Sequence, residues 1–357
     1  MRCSRMILLA VAGLRLIPVA GAQERTATQT TEQAYKNIQV LKGLPANELI
    51  PAMQFITASL GVECDYCHVQ GASEKDDRTA KLVARKMMTM MFAINKDNFE
   101  GHREVTCNTC HRGSPHPMAT PALSDGRPVM VAMNEDQTKA PSGPTPDQVI
   151  DKYIQALGGP AAIQRVSNRL EKGSADVMGK KTPIDIYTRA PNQRASIMHM
   201  PGGDSITAYD GKAGWLAFPG RPTRDMTPSE SASARLDADL HFATDLKQIF
   251  TDFKSTAPAK IGDRDTYVLV AMSEGRPPVK LYFDQQSGLL LRMLRFSDSP
   301  LGLNPVEIDY ADYRDVQGVK TPFRWTLTRT SGAFTIEIDS VQQNVSIDEQ
   351  KFARPTS

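Results

Sequence analysis

The chain has 357 residues, a length that favours two domains over one. Its apolar fraction of 40% and charged fraction of 23% are ordinary for a soluble globular protein. With 42 Lys and Arg against 40 Asp and Glu, the charge offers no basic surplus for nucleic acid, which we exclude as a partner.

The first 22 residues have the pattern of a secretory signal peptide. Two arginines make a positive start, residues 6–17 are mostly apolar although Arg15 interrupts them, and residues 20–22 form a small-residue cleavage site. An uncleaved amphipathic anchor is the alternative. Since no stretch approaches the roughly 18 apolar residues that span a bilayer, we expect a periplasmic protein, soluble or peripherally membrane-associated. Residues 23–33 are polar and predicted to be disordered.

The cysteines of the next segment, residues 34–113, carry the strongest chemical signal. Cys3 lies in the signal peptide, so no cysteine remains outside the motifs for a structural disulfide. The other four lie in two C-x-x-C-H motifs: Cys64, Cys67 and His68, and then Cys107, Cys110 and His111. This spacing lets two thiols reach the two vinyl groups of one haem while the histidine binds its iron. A zinc knuckle or a redox dithiol is the alternative, which two copies behind an export signal disfavour. We therefore predict two covalently bound haem c groups.

Each motif follows a predicted helix whose apolar face carries methionine. Residues 46–60 form the first helix, with Met53 on its apolar face, and residues 77–95 form the second, with Met87 in its stripe. A methionine stripe at helical spacing is more often core packing than iron ligation. Because each haem needs a sixth ligand, and cytochromes use methionine or a second histidine, Met53 and Met87 are our candidates. Met90 and His102 remain open as alternatives at the second haem.

Residues 114–144 are rich in proline, serine, glycine and threonine, which predicts an extended linker. Residues 145–357 then form a second domain. It begins with a helix that Thr145 and Gln148 cap and that Gly158 and Gly159 end, followed by a short helix. A period of two then predicts strands at 182–188, 267–271, 279–283, 289–296, 306–310, 326–330 and 334–338, with one helical insert at about 230–253.

The segment that carries the C-x-x-C-H motifs resembles half of the multihaem cytochrome subunit of photosynthetic reaction centres. The resemblance rests on residues 36–41, the two helices, residues 105–113 and both C-x-x-C-H motifs. It implies a mainly α-helical fold in which each helix donates a methionine to the iron of the haem that follows, hence Met53 and Met87. The sequence departs from the family in having two haem motifs in place of four, and a shorter loop before Cys107.

The C-terminal domain resembles the envelope lipoprotein carriers, in which a curved antiparallel sheet wraps inserted helices around an apolar cavity. Residues 208–215, 281–289 and 310–325 carry this resemblance, the last with a turn at Gln317 and Gly318. It implies an α+β half-barrel fold and an apolar ligand such as a lipid tail or a quinone. No Ser-His-Asp pattern, phosphate loop or metal-spaced cluster is evident, and the acidic pairs at 237/239 and 309/312 are interpreted as solvated faces.

The leading hypothesis is therefore a periplasmic electron carrier and not an enzyme, with redox proteins or membrane electron-transfer complexes as partners. Two alternatives come from other classes. The haems could relay electrons as a subunit of an envelope oxidoreductase, or the sheet domain could bind a lipid or quinone beside a cytochrome module. A shift of the haem potentials on ligand binding would favour the last.

Overall fold

The computed structural model describes residues 29–129, 143–177, 179–299 and 301–354. The chain divides into two compact units, residues 1–117 and 118–357. The predicted signal peptide, residues 1–22, lies outside the described residues. Among the residues that are described, no helix has both the length and the apolar character required to cross a bilayer.

The N-terminal unit is helical, as predicted. Its elements are α1 (Thr31–Ala34), a 3₁₀ turn (Ala46–Glu48), α2 (Leu49–Leu60), a 3₁₀ turn (Cys64–Tyr66), α3 (Thr79–Asn98) and α4 (Cys107–His111). The two long helices, α2 and α3, lie where the apolar periodicity predicted them. Pro51 falls in the first turn of α2, where a missing backbone N–H removes no intrahelical bond.

The C-terminal unit contains one antiparallel sheet of thirteen strands within its described residues, preceded by α5 (Pro146–Ala156) and α6 (Pro160–Gln164). The strands are β1 (Asn168–Val177), β2 (Lys180–Arg189), β3 (Gln193–Met200), β4 (Gly203–Tyr209), β5 (Gly214–Ala217), β6 (Arg224–Asp225), β7 (Asp252–Ile261), β8 (Arg264–Met272), β9 (Val279–Asp284), β10 (Leu290–Ser299), β11 (Gly302–Val316), β12 (Val319–Arg329) and β13 (Gly332–Gln343).

The sheet is built from two meanders that meet in its middle. Strands β1 to β6 run outward to one edge, β7 begins at the opposite edge, and β13 returns to pair with β1. The connection between the two edges is helical: α7 (Pro228–Ala238) and α8 (Phe242–Ile249). The single insert predicted at 230–253 is thus two helices, because Asp239 adopts an extended backbone that ends α7.

The hairpin between β11 and β12 shows how local sequence sets the register. Gln317 and Gly318 both have positive φ, 52° and 87°, and Val316 pairs directly with Val319 across them. Two central residues with positive φ match the right-handed twist of the flanking strands. The turn predicted at Gln317 and Gly318 is therefore present.

The main core of the C-terminal unit lies where α5, α6 and α8 pack on the sheet. Ile150 and Leu246 from the helices are fully buried against Leu269, Leu281 and Phe283 from the strands. A second cluster, centred on the middle strands, covers the sheet around Trp325. The helices therefore stay on the sheet through apolar burial, the dominant favourable term in folding.

Residues 118–129, which fall within the predicted linker, pack on this sheet. The cluster that holds them consists of Leu123, Val129, Leu294 and Phe296, all buried. In addition, the Arg127 guanidinium binds both carboxylate oxygens of the buried Glu307 on β11. Composition alone does not show these contacts, because they depend on strands about 170 residues later in the chain.

Candidate functional site

The first C-x-x-C-H motif forms a tight turn. Cys64 begins a 3₁₀ turn, and its carbonyl accepts the backbone N–H of His68 at 3.0 Å. The Cys64 side chain is exposed, while Cys67 is partly buried. Burial raises the pKa of the Cys67 thiol, and the neighbouring Cys64 raises it further. The first motif therefore has one cysteine open to solvent and one partly shielded from it.

The second motif forms the short helix α4. Thr106 precedes this helix, and its backbone N–H donates to the hydroxyl of Thr109 at 3.0 Å, which completes a capping box. Cys107 is partly buried and Cys110 is exposed, the reverse of the order in the first motif. Burial again raises the pKa of the more buried thiol, that of Cys107. A spacing of three residues on a helix puts both thiols on one face.

Both motif histidines are held in the same way. His68 Nδ1 lies 2.9 Å from the carbonyl oxygen of Ser73, and His111 Nδ1 lies 2.9 Å from that of Ser114. Since a carbonyl can only accept, Nδ1 carries the proton and Nε2 keeps its lone pair. This is the tautomer that metal-ligating histidines adopt when a backbone carbonyl fixes the ring. The donor set therefore fits an iron ligand on each motif.

The methionines that the sequence singled out do not pack into a protein core. Met87 is 38% exposed and Met90 47% exposed on α3, one turn apart, while Met53 on α2 is half-buried. The core interpretation of this stripe is therefore wrong for Met87 and Met90. His102 is also exposed, in the turn that follows α3, where its backbone N–H binds the Phe99 carbonyl at 2.7 Å.

The N-terminal unit presents much apolar surface and buries little. Among its described residues, 29–117, the buried apolar side chains are Leu41, Ala46 and Leu49. Its exposed large apolar side chains are Tyr35, Ile50, Phe55, Tyr66, Leu82, Val83, Met87, Met90, Phe92 and Phe99. A unit of this size with so small a core is stabilised in other proteins by disulfides, metals or a bound group. The exposed faces of α2 and α3 are suited to cover an apolar ring system.

The end of α2 is fixed to the second motif. The Ser59 carbonyl accepts the backbone N–H of Gly113 at 2.8 Å, and Ser59 itself is buried. Gly61 ends α2 with φ of 65°, and a Cβ built there would lie 2.2 Å from the Gly113 carbonyl oxygen. Only glycine allows this approach. Although α2 precedes the first motif, it is bound through its C-terminus to the second.

The end of α3 is also fixed to the second motif. The side chain of the buried Asn95 accepts the Val105 backbone N–H at 2.9 Å and donates to the Val105 carbonyl at 2.7 Å. Asn95 thus pairs with Val105 as a neighbouring strand would, and it sets where the chain enters α4. Sequence reasoning gave no role to this residue, although it stands within the stretch that carries the first resemblance.

The C-terminal unit contains a cavity of about 340 Å³ between its helices and the sheet. Its apolar lining comes from the helical connection and the middle strands: Leu236, Leu240, Phe242, Ile308, Trp325 and Ile336. Arg169, Glu171 and Arg194 add charged groups. Arg169 lies 3.8 Å from Glu171, too far for a hydrogen bond, and its buried Nε has no partner among the described residues.

The acidic pairs predicted to be solvated are in part ion-paired. Asp237 on α7 accepts two hydrogen bonds from Arg295 on β10, at 2.7 and 2.8 Å. Burial alone would raise the pKa of Asp237, but the Arg295 guanidinium lowers it. Asp309 likewise accepts a hydrogen bond from Arg292 at 2.8 Å. Both carboxylates remain partly exposed, Asp237 at 37% and Asp309 at 35%, but the sheet also brings arginines next to them that are distant in sequence.

The comparisons with known sequences concern the N-terminal part of the chain. Residues 5–149 match the family model described as the photosynthetic reaction centre cytochrome c subunit. The subunit of Thermochromatium tepidum is 39% identical over 101 residues, which cover 27% of this chain and 24% of the relative. Cytochrome c-554 of Chloroflexus aurantiacus is 33% identical over 87 residues, which cover 22% of this chain and 21% of the relative. The chain thus spans about a quarter of the relatives' length.

The structural comparisons concern the sheet. A LolA superfamily protein of Nitrosomonas europaea matches 59% of this chain and 99% of its own, with a TM-score of 0.41 and 13% identity. A DUF1329 family protein of Desulfovibrio piger matches 58% and 96%, with a TM-score of 0.41 and 13% identity. The first sequence resemblance is thus found again, because the N-terminal part is similar to reaction-centre c-type cytochromes.

Proposed function

We propose that this protein is a periplasmic electron carrier with two covalently attached c-type haems. Cys64 and Cys67 would attach the first haem, and His68 and Met53 would be its iron ligands. Cys107 and Cys110 would attach the second haem, and His111 and Met87 would be its iron ligands. The observation that carries this proposal is the matched pair of motif histidines. In each C-x-x-C-H motif, the histidine Nδ1 lies 2.9 Å from the backbone carbonyl of a serine that follows the motif.

The ligand set determines the kind of electron transfer. When bound, a haem supplies a one-electron Fe(III)/Fe(II) couple, and thioether ligation raises its potential compared with a second imidazole. The chain's part is to hold both axial ligands and to cover the ring with the apolar faces of α2 and α3. Electrons would pass between redox proteins or membrane electron-transfer complexes, after export by the signal peptide of residues 1–22.

The test is an optical redox titration of the purified exported protein, with haem content measured by pyridine haemochrome assay. We expect two haems per chain, two one-electron waves at positive potential, and the weak far-red band that marks methionine on Fe(III). Met53→Ala and Met87→Ala should each remove part of that band, whereas Met90→Ala should leave it intact as the matched control on α3. Loss of the band in Met90→Ala would refute the Met87 assignment in favour of Met90, and low potentials without the band would refute it in favour of His102.

We propose a second function for the C-terminal unit, the binding of one apolar ligand such as a lipid tail or a quinone. The 340 Å³ cavity supports it, because helices and strands line it with large apolar side chains. Solvent extraction of the purified protein followed by mass spectrometry should yield a stoichiometric apolar molecule. Ser196 lines the cavity on β3, so Ser196→Phe should reduce that yield. Recovery of no such molecule from wild type would refute this function and leave the electron-transfer proposal untouched.

A further inference from the structure

The carbonyl that holds His68 also binds a lysine. The Ser73 oxygen lies 2.9 Å from His68 Nδ1 and 2.8 Å from Lys81 Nζ. Lys81 lies in the first turn of α3, where its backbone N–H donates to the Arg78 carbonyl at 3.0 Å. It is 8% exposed, which is rare for a lysine. Its ammonium also donates to the Lys75 carbonyl at 2.7 Å. The lysine is therefore fixed, with its charge two hydrogen bonds from the ring of His68.

The second motif has no such arrangement. The Ser114 carbonyl accepts His111 Nδ1 at 2.9 Å, and within the described parts of the chain no cationic side chain shares that oxygen. The two histidines are thus alike in tautomer and in distance to a carbonyl. They differ in what else the carbonyl binds.

The cluster around Lys81 carries a net positive charge. Asp76 lies 3.1 Å from Lys81 Nζ and 2.9 Å from Arg85 Nη1, so that one carboxylate faces two cations. The hydrogen bond from Arg85, with a further one from Asn37, holds the pKa of Asp76 well below its usual range. The carboxylate is consequently ionised at neutral pH, and the cluster has one positive charge in excess.

A cation on this carbonyl changes the ligand strength of His68. A carbonyl that accepts the Nδ1 proton pulls that proton and makes the imidazole a stronger donor to iron, which favours Fe(III). An ammonium on the same oxygen withdraws electron density and weakens this effect, and its charge also opposes the extra positive charge of Fe(III). Both effects favour Fe(II). Groups that hydrogen-bond to the ligands of a metal tune metal sites in this way.

We propose that Lys81 is a positioning residue that raises the midpoint potential of the haem at His68 above that of the haem at His111. This inference rests on the proposed function, since it requires a haem on each motif. The step is a one-electron reduction of Fe(III) to Fe(II), with the electron supplied by the redox partner and no proton transferred. Electron transfer between the two haems would thus favour one direction, and a single electron would reside mainly on the haem of the first motif.

The first experiment compares Lys81→Met with Lys75→Met in potentiometric titrations of the holoprotein. Lys75 is an exposed lysine of the same loop, so both variants lose one positive charge. We expect Lys81→Met to lower the reduction equilibrium constant of the first haem about tenfold, which is a shift of about 59 mV for one electron. The second haem should keep its potential, and Lys75→Met should shift neither by a comparable amount. The wave of the first haem is identified as the one that Met53→Ala displaces.

A second pair of variants separates an electrostatic effect from a loosened loop. Asp76→Asn removes the anion beside Lys81 and should raise the potential of the first haem, opposite in sign to Lys81→Met. Lys81→Arg keeps the charge and should retain most of the wild-type potential. Shifts of the same sign in Lys81→Met and Asp76→Asn, or equal shifts of both haems, would overturn the proposal. The haem content of each variant reports separately on the proposed function: two haems without a selective shift refutes the role of Lys81 alone.

Discussion

Replacing Asn95 with alanine tests whether the end of α3 is fixed to the second motif by one side chain. Asn95 is buried and makes two hydrogen bonds to Val105, at 2.9 and 2.7 Å. A neutral hydrogen bond contributes roughly 1 kcal/mol net, and a buried backbone group left unpaired costs about 1–3 kcal/mol. We therefore expect Asn95→Ala to lower the free energy of unfolding by about 2–3 kcal/mol.

The assay is urea unfolding of the holoprotein, followed through the haem absorption that reports on the N-terminal unit. Asn98 provides the matched control, because it is an exposed asparagine on the same helix whose amide donates to the Ile94 carbonyl at 3.1 Å, within its own helix. Asn98→Ala should change the stability by less than about 0.5 kcal/mol. In Asn95→Ala the far-red band of the second haem should also weaken. Equal losses in the two variants would show that Asn95 is not the fixing contact.

Two further predictions concern close backbone approach and pH. Gly61→Ala would place a methyl group 2.2 Å from the Gly113 carbonyl oxygen. We therefore expect the free energy of unfolding to fall by more than about 2 kcal/mol in the same assay. Burial raises the pKa of Asp239 to about 6, and the nearby Asp245 adds to this. The wild type should therefore lose stability relative to Asp239→Asn as pH rises from about 4 through 6, by on the order of 1 kcal/mol because solvent screens a partly exposed carboxyl.

A specific result would contradict the Gly61 prediction, and another would contradict the Asp239 prediction. Gly71 also has positive φ, 73°, but a Cβ there meets nothing within 4 Å, so Gly71→Ala should cost only the backbone strain of about 1 kcal/mol. A larger loss in Gly71→Ala than in Gly61→Ala would contradict the close approach. For Asp239, unfolding curves of wild type and variant that stay parallel from pH 4 to 7 would mean that this carboxyl titrates normally in the folded state.

The sequence predicted correctly those elements that depend on residues close together in the chain. The C-x-x-C-H motifs, the helices that became α2 and α3, and the two-residue turn at Gln317 and Gly318 each depend on residues within about one helix length. Their spacing or their turn chemistry is sufficient to predict them. The strands with clean alternation, such as β2 and β13, were found for the same reason.

The strands that were missed lack that alternation. β1 contains Lys172 and Gly173 at a register shift against β13, so its pattern changes midway along the strand. Its partner in the sheet follows about 165 residues later. β3 and β4 carry polar groups on the face that lines the cavity, with Arg194, Ser196 and Thr207 among them. A sheet face that surrounds a cavity with charged groups does not show the apolar periodicity of an ordinary core.

The residues that connect the helices to the motifs were beyond sequence reasoning for a related reason. A buried lysine and a buried asparagine look like surface residues in a sequence, and only the fold shows that Lys81 and Asn95 bind backbone groups. Ser59 is a further example, because it contacts the second motif through its backbone carbonyl and not through its side chain. The identity of a residue does not show whether its backbone carbonyl accepts a hydrogen bond from a distant group.

These contacts together explain how a unit with a small core would hold the two proposed iron sites in fixed geometry. Lys81 binds the loop of the first motif, Asn95 binds the entry to the second, and the carbonyl of Ser59 binds its exit at Gly113. Each is a directional bond between a helix and a motif, so the positions of the methionines relative to the histidines do not depend on apolar packing alone. A redox site benefits from such fixation, because ligands that stay in place in both oxidation states leave little to rearrange when the electron moves. The apolar faces of α2 and α3 would then be free to cover the proposed haems and would not need to pack on each other.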